Sequence, residues 1–197
     1  MARTRRIRGD VTSAPPGTPP AGGPLRALDA LDRRVGRRLR ETSAAMPAAH
    51  TALVAAGEVL SPVFRLGVAV LMARRDTRRL GTAALAASVA AAMLGRVLRE
   101  RLGRPRPGDR EEGGFPSRHA AAATAIATVV CAWPGPLATA TRVAAATGLA
   151  GRVVSAQHHP GDIAGGAALG WVAGRVIRRL AGIPHGGSAG YGARNGR

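Results

Sequence analysis

The chain has 197 residues and a formal net charge of +18, from 29 basic residues, all of them arginine, against 11 acidic ones. That length fits one domain better than two, and the single Cys131 excludes an internal disulfide framework. The arginine excess points to an anionic partner, and composition leaves nucleic acid, lipid headgroups and a phosphate-bearing substrate all open.

Residues 1–24 hold Arg, Pro and Gly with no apolar run. They cannot bury enough surface to offset their ordering entropy and read as a disordered tail. The Arg5-Arg6 pair has no apolar stretch behind it, as an export signal requires. Residues 25–48 read as an amphipathic helix, with Leu25, Leu28, Leu31, Val35 and Leu39 at helical spacing among Asp and Arg. It is too charged to span a bilayer and suits an anionic interface or the surface of the fold.

Residues 49–181 form the main domain. Thr51–Ala73 and Leu80–Leu98 are each long enough for a hydrocarbon core of about 30 Å. Ala120–Trp133 is shorter, Pro134-Gly135-Pro136 separates it from Leu137–Val154, and a further stretch runs from Ile163 to Leu180. Glu58, Arg65 and Arg142 interrupt these stretches and must face the bundle interior or snorkel. Gly166, Gly170 and Gly174 recur at every fourth position, a face for close helix approach that offers a homo-oligomer contact. Residues 182–197 are Gly-rich and read as a second disordered tail. The fold class expected is all-α, an integral membrane helical bundle of about five spans preceded by an amphipathic interfacial helix. Because alanine-rich spans have weak hydropathy, a soluble bundle is the alternative.

Polar residues gather in three blocks between the spans: Arg99 to Pro107, Phe115 to His119, and Gly151 to Asp162. Alternating span direction puts all three on one side of the membrane. Arginine presents a planar fork of donors that matches phosphate oxygens, so Arg99, Arg106 and Arg152 make a phosphate clamp. Ser117 occupies an N-cap position ahead of an apolar helix, whose free N–H groups form an anion site. His158 and Asp162, at i and i+4, let the carboxylate hold one imidazole nitrogen and leave the other as nucleophile or base. His119 supplies a second imidazole, able to protonate a leaving oxygen. Taken singly, each feature has a plainer reading: an arginine at a membrane edge as an anchor, a serine as a cap. His158, His159 and Asp162 also admit a metal site, which the surrounding arginines oppose.

Together the blocks resemble the three-part motif set of the type 2 phosphatidic acid phosphatase superfamily, lipid phosphatases related to vanadium haloperoxidases. Where that family has Lys, six residues, then Arg-Pro, this chain has Arg99, six residues, then Arg106-Pro107. Where it has Pro-Ser-Gly-His, this chain has Pro116-Ser117-Arg118-His119. Where it has Ser-Arg, five residues, His, three residues, Asp, this chain has Gly151-Arg152, five residues, His158, three residues, Asp162. The motifs span residues 99–162, and the helical pattern extends the likeness to about 50–181.

The resemblance implies a metal-independent lipid phosphatase working through a phosphohistidine. His158, His119 and Asp162 carry the catalysis, and Arg99, Arg106, Ser117, Arg118 and Arg152 bind phosphate. No cofactor and no nucleic acid is expected. Arg118 in place of Gly adds charge beside the phosphate site, and Gly151 in place of Ser loses a donor, which is expected to be tolerated. The substrate is a lipid phosphate: phosphatidic acid, phosphatidylglycerol phosphate, polyprenyl pyrophosphate or a polyprenyl-phosphoryl sugar phosphate. A vanadium-dependent haloperoxidase uses the same residues, and the net charge suggests a non-enzymatic basic membrane or nucleic-acid-binding protein. The location implied is a multi-pass protein of the cell membrane with its active site outside the cytoplasm, although arginines near the N-terminus argue the other way.

Overall fold

A computed structural model describes residues 24–102, 104, 106–107 and 113–184. The two expected tails lie outside the described residues, apart from residue 24 and residues 182–184. Among the described residues all regular structure is helical. The order is α1 (Pro24–Ala44), α2 (Pro47–Ala73), α3 (Arg78–Leu102), α4 (Arg118–Val130), α5 (Pro136–Val154) and α6 (Pro160–Leu180). Proline opens α2, α5 and α6, where its fixed φ and missing N–H suit a first turn. That is why α2 and α6 start a few residues before their apolar runs begin.

The core is built from small side chains. Ala84, Ala87 and Ala91 of α3 and Ala121 and Ala125 of α4 are fully buried, which draws the helix axes together. α4, with 13 residues, is too short to cross a hydrocarbon core alone at about 1.5 Å per residue. It sits centrally, in contact with α2, α3, α5 and α6. Gly166, Gly170 and Gly174 all face it: a Cβ on Gly170 would fall onto the carbonyl oxygen of Ala121, and one on Gly174 would stand 2.6 Å from Thr128 Cβ. The glycine stripe is therefore occupied by α4 of the same chain and is not open to a second copy, contrary to the expectation of an oligomer face.

The outer surface is apolar. Val59, Val63, Leu66 and Val70 of α2, and Leu85, Val89, Met93 and Val97 of α3, all point outward. A patch of this extent is foreign to a soluble monomer and ordinary against lipid. Among the described residues, α2 and α3 are long and apolar enough to cross a membrane by themselves. Glu58, Arg65 and Arg142 are exposed and do not face the interior. Arg142 snorkels, donating from Nη2 to the carbonyl of Cys131 at 3.4 Å.

α1 docks on α2, α5 and α6 with its apolar face turned outward, as the interfacial reading of this helix expects. Leu28, Leu31, Val35 and Leu39 are 41–60% exposed. The face turned inward, roughly 100° around the helix, carries Asp29, Asp32, Gly36, Arg40 and Ser43. Gly36 lets Pro160 approach, its absent Cβ lying 3.1 Å from Pro160 Cδ, and Ser43 Oγ lies 3.1 Å from His50 Nδ1.

Candidate active site

The three polar blocks meet at one end of the bundle. After α5 the chain reverses tightly, the N–H groups of Gln157 and His158 both donating to the carbonyl of Arg152 at 3.1 and 3.2 Å. His159 is the N-cap of α6, and Asp162, in the first turn, accepts from its backbone N–H at 2.9 Å through Oδ2. This capping box sets the direction of a carboxylate that is entirely buried. His158 turns Nδ1 toward the same Oδ2 at 3.6 Å, an ion-pair distance longer than a hydrogen bond. The expected i, i+4 relation holds, with the capping N–H nearer to the oxygen than the imidazole.

The second block joins the third through backbone. Ser117 N–H donates to the carbonyl of Asp162 at 2.9 Å, which places the N-terminus of α4 beside that of α6. Ser117 is fully buried and caps α4, its Oγ accepting from Ala120 N–H at 3.4 Å. His119, in the first turn of α4, then faces His158 with ring centroids 6.5 Å apart and planes at 63°. Arg106, Arg118 and Arg152 all lie within electrostatic reach of His119. Arg152 is buried, donates to Gln157 Oε1 and feels the charges of Glu58 and Arg106.

Arg118 also opens outward, beside Arg99. With Ala92, Met93 and Arg96 they line a cleft of about 540 Å³ running up α3 to the start of α4. Among the sequence-derived residues, His119, His158, Asp162, Ser117, Arg106, Arg118 and Arg152 converge, and Arg118 also borders the cleft together with Arg99. Among the described residues no cluster of His, Cys, Asp or Glu is arranged to hold a metal ion.

The sequence reading missed Arg104, a heavily bonded member of the site. Arg104 donates from Nη1 to Asp162 Oδ1 at 2.8 Å, from Nη2 to Asp29 Oδ1 at 2.7 Å and Asp32 Oδ2 at 2.6 Å, and from Nε to Asp29 Oδ1 at 3.1 Å. Burial works against its charge, yet the bonds to Asp32 and Asp29 outweigh that and raise its pKa. Burial likewise pushes the Asp29 carboxyl up, and hydrogen bonds from Arg104 and Arg33 override it to leave the group below the ordinary carboxylate value. Burial holds the His159 imidazole below its usual value, against the pull of Asp162.

Residues 80–182 match the family model described as the PAP2 superfamily. The chain belongs to the PAP2 superfamily. A solved structure of a transmembrane PAP2-type phosphatidylglycerolphosphate phosphatase from Bacillus subtilis is similar in fold, with a TM-score of 0.57 and 20% identity over 78% of this chain and 86% of that one. No curated protein sequence matches this chain.

Among the departures from the PAP2 motifs, the one at Gly151 has a steric cause. A Cβ there would fall onto the carbonyl oxygen of Leu53 and stand 2.7 Å from the backbone nitrogen of Gly57. A Cβ on Gly57 would in turn lie 2.9 Å from the carbonyl carbon of Gly151. The PAP2 serine has no room at this crossing of α2 and α5, so the missing hydroxyl goes with a closer approach of the two helices. Arg118, where the PAP2 motif has Gly, is exposed and lines the cleft, whereas His119 is half-buried.

Proposed function

We propose that this protein is a lipid phosphatase that hydrolyses a phosphomonoester or pyrophosphate of a membrane lipid through a phosphohistidine, without a metal ion. The observation that carries the proposal is the pairing of His119 with His158 6.5 Å away, where Asp162 backs one imidazole and Arg106 and Arg152 supply positive charge. With Nδ1 of His158 directed to Asp162, Nε2 is the nitrogen left to attack phosphorus in line. The bond to the leaving oxygen breaks as His119 gives that oxygen its proton. Water then attacks the phosphohistidine, giving its proton back to His119 and releasing phosphate and neutral His158. Arg106, Arg152, Ser117 and the N–H groups opening α4 hold the equatorial oxygens as charge builds on them. Arg99 and Arg118 receive the headgroup from the cleft, whose lower wall of Ala92 and Met93 suits an acyl or prenyl chain.

Phosphate release from phosphatidic acid, phosphatidylglycerol phosphate, polyprenyl pyrophosphate and a polyprenyl-phosphoryl sugar phosphate tests this reading, beside His158→Ala. The wild type releases phosphate from at least one of them, with EDTA present, and vanadate inhibits. Activity retained in His158→Ala overturns the mechanism. The active site faces away from the cytoplasm in this proposal. A cysteine introduced at Asp109 in a Cys131→Ala background then reacts with an impermeant reagent in intact cells, and protection until lysis reverses the assignment.

A further inference from the structure

Arg104 lies between two motif arginines, yet its surroundings do not suit a phosphate ligand. All three of its guanidinium nitrogens donate to carboxylates, those of Asp162, Asp29 and Asp32. The neighbouring carboxylates of α1 would repel an incoming anion. What Arg104 does reach is the outer oxygen of Asp162: Oδ1 bonds Arg104, while Oδ2 takes the His159 N–H and faces His158 Nδ1. A fully buried carboxylate needs both oxygens satisfied, and the partner that satisfies the second one fixes the rotation of the group.

Arg104 is in turn held from outside. Asp29 and Asp32 bind its Nε and Nη2, and Asp32 also accepts from Gly161 N–H at 2.7 Å, one residue before Asp162. Gly161 makes that approach possible, because a Cβ there would stand 2.6 Å from Asp32 Oδ2 and 3.3 Å from Arg104 Nη1. α1 therefore grips the turn that bears Asp162 twice, through its backbone and through Arg104.

We propose that Arg104 is a positioning residue that fixes Asp162 against His158, and that Asp29 and Asp32 hold Arg104 in that pose, so that α1 is part of the catalytic apparatus. The proposal rests on the hydrolase reading of the site. It assigns Arg104 to the chemical step and not to substrate affinity, unlike the arginines of the cleft.

Steady-state phosphate release by the full-length protein in detergent tests it, with lipid phosphate varied, for wild type, Asp29→Asn/Asp32→Asn, Arg104→Gln, Arg104→Lys and the triple variant. Removing an outer partner of a site group lowers activity about 10- to 100-fold. We expect kcat of Asp29→Asn/Asp32→Asn and of Arg104→Gln to fall by about tenfold or more on that scale, with KM within about twofold of wild type. Arg104→Lys falls between, since an ammonium is a point charge and cannot bridge Asp162 and α1 at once. The triple variant loses less than the product of the separate losses, because the α1 carboxylates act mainly through Arg104 and only the Asp32 contact to Gly161 N–H stands apart from it. Wild-type kcat in Asp29→Asn/Asp32→Asn, a change confined to KM, or losses that multiply in the triple variant would each overturn the proposal. If the double variant does not fold, the single Asp29→Asn serves, and it must still lower kcat. A wild type inactive on every lipid phosphate strikes the hydrolase reading instead, whereas an active wild type beside an equally active Asp29→Asn/Asp32→Asn strikes only this one.

Discussion

His158 holds Nδ1 3.6 Å from Asp162 Oδ2, and the same oxygen caps α6 by accepting the His159 N–H at 2.9 Å. One carboxylate thus starts a helix and backs an imidazole, so the stability of the helix N-terminus and the chemistry of the site share an atom. Asp162→Asn keeps the shape and loses the charge. We expect kcat to fall by about a hundredfold or more, and thermal melting in detergent to show a lower midpoint, since Arg104 then faces a neutral amide. A variant with wild-type kcat would remove Asp162 from the mechanism.

His119 has a role that depends on the leaving group. His119→Ala is expected to lower kcat by about 10²- to 10⁴-fold on a lipid alkyl phosphate. The first step should be affected far less on an aryl phosphate such as p-nitrophenyl phosphate, whose leaving oxygen needs no proton. Without its base the second step then lags, and a phosphorylated histidine should accumulate in samples quenched in alkaline detergent, where its acid-labile N–P bond survives. Equal losses in the first step on both substrates, read from the burst of leaving group, would argue against His119 as the proton donor.

The glycines of α6 should tolerate no side chain. Gly170→Ala drives a Cβ onto the carbonyl of Ala121, and overpacking of this kind costs about 1–3 kcal/mol. Gly67 of α2, with nothing near its missing Cβ, is the control, and Gly67→Ala should stabilise by about 0.5–1 kcal/mol through helix propensity. Melting midpoints in detergent should move in opposite directions for the two variants.

The docking of α1 should be sensitive to acid. The Asp29 carboxyl in the folded protein lies below its ordinary value of about 3.9, so the unfolded or undocked chain takes up the proton first. The stability this group contributes is whole above that ordinary value and is lost as pH falls through the depressed one. Hydrogen exchange of the α1 amides, corrected for the intrinsic rate, should therefore accelerate below about pH 4. Asp29→Asn should flatten the response, and an unchanged profile in that variant would assign the acid sensitivity elsewhere.

Much of the site could be read from the chain because spacing carries it. The offsets that tie Ser117 to His119 and Arg152 to His158 and Asp162 are local, and helix geometry turns them directly into positions. Arg104 escaped because its partners Asp29, Asp32 and Asp162 stand 58 to 75 residues away, and no local period encodes such a pairing. A trace was present: Asp29 and Asp32, at i and i+3, share a face of α1 and call for cations. The sequence leaves the orientation of α1 open between an interfacial and a packed helix. Periodicity shows that a helix has an apolar face, and in water that face turns inward; beside a bilayer the solvent itself is apolar, so Leu28, Leu31, Val35 and Leu39 turn outward. The glycine stripe of α6 told of close approach without saying to which helix.

The contact between Gly57 and Gly151 reaches beyond this one molecule. The two positions form a steric pair, and a side chain at either is possible only where the α2–α5 crossing is wider. Among homologous chains, a small residue at the position of Gly57 should accompany the loss of the third-motif serine, and chains keeping the serine should show a wider crossing. A search pattern that insists on Ser-Arg would pass over the tightly packed branch, whereas one that reads the two positions jointly would retain it.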